Sequence, residues 1–155
     1  MKETAIGKLK ISSEAFENNE YIPLIYTCEG KNINPPLRIQ NIPVDTESLA
    51  IIVDDPDAPA GIFTHWMVWN IYPTSVIEEN SFPEGTEGIN DYTETKYMGP
   101  CPPSGTHRYF FKVYALDAML DIEKISTKAN LERVMQEHIL AYGELIGLYQ
   151  KTKVE

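Results

Sequence analysis

His65 and His107, two of the three histidines in the chain, begin segments of the same kind, and together they could serve one ligand. His65 opens HWMVWNI shortly after the acidic turn DDPDAPAG (54–61), and His107 opens HRYFFKVYAL directly after GPCPPSGT (99–106). In both cases a turn rich in Pro and Gly delivers an imidazole to the start of an aromatic, β-branched run that reads as a strand. Strand alternation assigns His65 to one side of its strand with Met67, Trp69 and Ile71. On the second strand it groups His107 with Tyr109, Phe111 and Val113 and turns Arg108 away. One pocket can then hold His65, His107 and Tyr109, two imidazoles and a phenol that can all donate hydrogen bonds to an anionic oxygen. The preceding turns can add backbone N–H donors, and Pro100, Pro102 and Pro103 stiffen the wall.

The acidic turn has a different task. Asp54, Asp55 and Asp57 cannot all face an anion without repulsion. One carboxylate can orient an imidazole while another accepts from a ligand ammonium or from Arg108. Such a pocket suits a zwitterion or a phosphomonoester. Asp and Pro are also ordinary turn formers, so for the cluster taken alone the structural account is the favoured one. A metal held by His65, His107 and one Asp would follow the two-His-one-carboxylate pattern, and zinc hydrolysis would need similar ligands. Neither HExxH nor paired CxxC occurs, and PPSGT around Ser104 is not a GxSxG elbow. Anion binding explains the same residues with no catalytic group, metal or cofactor, and a non-enzymatic binding protein is the expectation.

The elements that must carry these residues are mostly β. Residues 48–54 form a continuous apolar run that stops at a turn, the pattern of a strand buried on both faces. Strands are also expected over 6–12, 22–28, 63–72 and 106–116. The Pro pair in 32–44 bars a helix and predicts a loop leading into an edge strand. From Pro73 to Thr95 the chain is polar and turn-rich. A helix capped by Ser126 or Thr127 carries Leu131, Val134 and Met135 and ends near His138, with a strand after it. The 155 residues fit one domain, 1–155. The net charge of −10 argues against a nucleic-acid surface or an anionic bilayer. No apolar run is long enough to span a membrane, and the N-terminus lacks the apolar core of a signal peptide. A cytoplasmic protein is expected. In that compartment Cys28 and Cys101 are free thiols by default, although both flank Gly or Pro turns and could meet.

DPDAP (55–59), the following His65–Trp66 pair and GPCPPSGTHRY (99–109) resemble the phosphatidylethanolamine-binding proteins, also called Raf kinase inhibitor-like proteins. The resemblance is to the small bacterial and archaeal branch. It covers nearly the whole chain, from YTCEGKNINPPL to HILAYGELIGLYQ. It implies a Greek-key-like β-sandwich of two antiparallel sheets with a few peripheral helices, and no long C-terminal helix over the pocket. The pocket so implied holds phosphate-like anions or a phospholipid head group, and is built from Asp55, Asp57, His65, Gly99, Pro100, His107 and Tyr109. The resemblance also implies a cis Ala58–Pro59 bond and a homodimer. A further reading is an inhibitor or scaffold docking on a protease or kinase, with GPCPPSG inserted in a partner's cleft.

Overall fold

The computed structural model describes residues 5–81 and 83–152. Its strands are β1 (Gly7–Lys8), β2 (Lys10–Ser12), β3 (Glu20–Tyr21), β4 (Leu37–Gln40), β5 (Ser48–Asp55), β6 (Phe63–Ile71), β7 (Val76–Ile77), β8 (Thr86–Glu87), β9 (His107–Leu116) and β10 (Ile139–Tyr149). One α-helix, α1 (Lys128–Met135), precedes β10. The larger sheet runs β1-β10-β9-β5-β6-β8, with β3 also pairing β10, and the smaller runs β2-β4-β7. Pairing is antiparallel except where β1 and β3 lie parallel to β10.

β5 explains the architecture. Leu49, Ile51 and Val53 point into the main core, shared with Ile11, Leu37, Ile39 and Ile77 of the small sheet. Ala50 and Ile52 point the other way, into a second core with Met67, Trp69, Leu116 and the α1 residues Leu131 and Met135. A strand covered on both faces needs apolar residues at every position, hence the run SLAIIV. Helix α1 therefore packs on the face of the large sheet away from the small one. Thr127 caps it, its hydroxyl accepting from the Asn130 N–H at 3.1 Å. The buried carboxylate of Asp54 fastens its first turn, accepting from Lys112 Nζ at 2.9 Å and Lys128 Nζ at 3.4 Å.

Several sequence expectations need correction. The strand expected over 6–12 is two strands: the chain passes from the large sheet (β1) to the small one (β2) across the buried Leu9. The strand expected over 22–28 is instead a single 3-10 turn, Leu24–Tyr26. Pro23 introduces it, and both the N–H and hydroxyl of Thr27 donate back to the Leu24 carbonyl, at 3.0 and 2.8 Å. β4 is the middle strand of its sheet and not an edge; it begins after the Pro pair, so all four residues keep the N–H a ladder requires. The helix stops at Met135, a little before His138, and β10 follows.

Two β-bulges in β6 overturn the simple alternation. Val53 pairs with Trp66 and Asp54 with Thr64, so His65 is an extra residue on its strand. A second irregularity spans Trp69 and Asn70, where Asn70 adopts a φ of 59°. Met67 and Trp69 thus face the helix side, whereas Trp66, Val68 and Ile71 face the main core. His65 does not share a face with Met67 and Trp69; the bulge turns it toward Tyr109.

The candidate ligand pocket

The C-terminal end of β5 and the N-terminal ends of β6 and β9 meet at one end of the large sheet, where they enclose a cavity of about 180 Å³. Asp55, His65, His107 and Tyr109 line it, together with Phe63, Tyr92, Ala58, Pro59, Cys101, Pro102 and Pro103. The ring centroids of His65 and His107 lie 5.3 and 6.4 Å from that of Tyr109.

Each imidazole is held through one nitrogen. His65 Nδ1 lies 2.7 Å from the Met98 carbonyl oxygen, which can only accept, so Nδ1 carries the proton. His107 Nδ1 lies 2.6 Å from Asp55 Oδ2 and donates to it. The other Asp55 oxygen accepts the Asp57 N–H at 2.7 Å, which fixes the carboxylate across the turn. Both rings therefore leave Nε2 for a guest. Burial pushes the His65 pKa down, against the pull of the Met98 carbonyl and of Asp55, Asp54 and Asp91. The Tyr109 hydroxyl is buried and forms no well-aligned hydrogen bond, although the Asp55 carboxylate and the Cys101 backbone lie beside it; burial, reinforced by Asp55, pushes its pKa up, so it stays a phenol. Its proton can turn to Asp55 or to an acceptor oxygen in the cavity.

Not every expected residue reaches the cavity. Asp57 is turned outward, accepting from Arg108 Nε (2.9 Å), Nη2 (2.8 Å) and backbone N (2.9 Å). Those bonds hold its carboxyl at about 2. Gly99 and Pro100 lie buried one step behind the wall. A side chain on Gly99 would come within 2.1 Å of the Tyr26 carbonyl, so the backbone passes there only as glycine. The Gly99 N–H donates to Asn32 Oδ1 at 2.7 Å, and Pro100 O accepts from Cys28 N at 3.1 Å. These contacts bring Cys28 and Cys101 to a Cα–Cα distance of 5.5 Å, and they form a disulfide. The expectation of free thiols rested on compartment alone, and local packing overrides it.

The 58–59 bond is trans, as are all described peptide bonds. The Gly61 N–H closes a turn onto the Ala58 carbonyl at 3.1 Å, which puts Pro59 at the second turn position, where a trans proline fits. Tyr92 and Phe63 were not singled out by the sequence motifs. Phe63 sits at the first position of its strand and was a visible candidate. Tyr92 lies in the polar stretch and is placed by the buried Asn90. That side chain donates to the His65 and Lys96 carbonyls and accepts from the Tyr92 and Glu94 N–H groups. Among the described residues no three His, Cys, Asp or Glu side chains are grouped to share a metal ion.

Fold and site together define a two-sheet β protein with a small His-, Tyr- and Asp-lined pocket at the strand ends. The chain belongs to the phosphatidylethanolamine-binding protein family, whose model matches residues 12–150. Among its relatives is the UPF0098 protein PH1269 of Pyrococcus horikoshii, 49% identical over 153 residues, covering 92% of this chain and 77% of that one. A UPF0098 protein of Methanothermobacter thermautotrophicus is 45% identical over 150 residues, covering 92% and 99%. The crystal structure of CT736 from Chlamydia trachomatis, described as a homologue of phosphatidylethanolamine-binding protein, superposes with a TM-score of 0.90 at 39% identity, covering 94% and 99% of the two chains. E. coli YbcL, described as a new member of the mammalian family, superposes at 0.86 with 27% identity over 94% of this chain and all of the other. No helix among the described residues is long and apolar enough to cross a membrane.

Proposed function

We propose that this protein binds a phosphate-like anion, free or as a phospholipid head group, without catalysing a reaction on it. One observation carries the reading: two anchored imidazoles and a buried phenol converge on a single cavity. Its volume of about 180 Å³ is below the several hundred typical of drug-sized ligands, which favours a head group over whole-lipid enclosure. Family membership supports a small-ligand role. The Pro102–Pro103 segment lines the cavity, so wall-building accounts for it better than docking in the cleft of a protease or kinase. Titration calorimetry with O-phosphorylethanolamine tests the reading. His65→Ala and His107→Ala should each weaken binding about 10-fold or more, the scale of one lost hydrogen bond to a charged group. Wild-type affinity in both variants would reject it.

A further inference from the structure

The cavity is an unusual place for an anion. Among the described residues no Lys or Arg lines it, while the Asp55 carboxylate does. Arg108, the nearest cation in sequence, is turned outward and engaged by Asp57. The groups acting on His65 are Asp55 and, from the far face of β5, Asp54, with Asp91 and Tyr92 from the loop that follows β8 and Tyr109 from β9; His107 shares the cavity. Not one of them is a fixed positive charge. With Nδ1–H given to the Met98 carbonyl, neutral His65 offers the guest a lone pair at Nε2 and no proton. Tyr109 offers the reverse, a buried hydroxyl donor that forms no well-aligned hydrogen bond within the protein.

We propose that the pocket selects oxyanions that still carry a proton, such as hydrogen phosphate or a phosphomonoester monoanion, with His65 Nε2 accepting the ligand's O–H and Tyr109 donating to an ionised oxygen. This selectivity rests on the anion binding proposed for the same cavity. A guest with both an acidic hydroxyl and a bare oxygen matches this acceptor and donor. A fully ionised guest sets its charge against Asp55 and its lone pairs against that of Nε2, which is how a site rejects by design. Sulfate, proton-free near neutral pH, is such a guest. Burial, which keeps His65 neutral, supports the assignment.

The experiment uses the wild-type protein and calorimetry. Inorganic phosphate should bind about 10-fold or more tightly than sulfate at pH 6, since sulfate leaves one acceptor unanswered. Methylphosphonate and its trifluoromethyl analogue, which lose their second protons at well-separated pH, should weaken with rising pH at midpoints that follow the ligand. Nitrogen-15 spectra should find His65 as the Nδ1–H tautomer. Sulfate matching phosphate, a common midpoint for both phosphonates, or an Nε2–H tautomer would each overturn the selectivity while leaving anion binding intact. Failure of every oxyanion to bind would overturn both proposals.

Discussion

His65 carries a cost of its own. Its folded pKa lies below the ordinary 6.5 because burial disfavours the imidazolium. The unfolded chain therefore binds the proton more readily, and linkage makes stability fall as pH drops below about 6.5, while above that value the contribution is complete. Urea melts between pH 7 and pH 5 should show a steeper loss in wild type than in His65→Gln; equal slopes would mean the ring titrates normally. The convergence of His65, His107 and Tyr109 was legible from two matching turn-then-strand motifs. The side of the strand on which His65 lies was not. Alternation counts residues, and a bulge adds one without leaving a mark in polarity. Asp57 shows the converse: its pairing with Arg108 was a readable option, but sequence could not say that it would draw Asp57 away from the cavity.

Among the elements, periodicity worked where strands were long. The runs 48–54, 63–72 and 106–116 correspond to β5, β6 and β9 to within a residue at either end. β7 and β8, two residues each, arise from pairing with β4 and β6 and have no pattern of their own. Pro23 turned the expected 22–28 strand aside. Helix α1 was visible through its cap and apolar spacing, and its position on the far face of the large sheet separates stability from binding. Thr127→Ala should cost about 1 kcal/mol, the usual value of a lost hydroxyl cap. Thermal melts would register it, and phosphate affinity should be unchanged. A variant that melts as wild type would show that the cap contributes nothing.

For the molecule as a whole, the pocket wall and the fold share a fastener. The disulfide joins positions 73 residues apart and ties the Cys101–Pro103 wall to the turn after Leu24–Tyr26. Removing a crosslink over a loop of that length frees the unfolded chain by about 4 kcal/mol on the chain-entropy model. Cys101→Ser should approach that loss in denaturant melts under oxidising conditions, and a change under about 1 kcal/mol would contradict it. The same bond has a consequence for fragmentation. Every strand from β4 to β8 lies on the segment between its two ends. A protease cutting any connection among them would leave two pieces travelling as one molecule until a thiol is added. Backbone damage in the middle of this chain is thus concealed by sulfur.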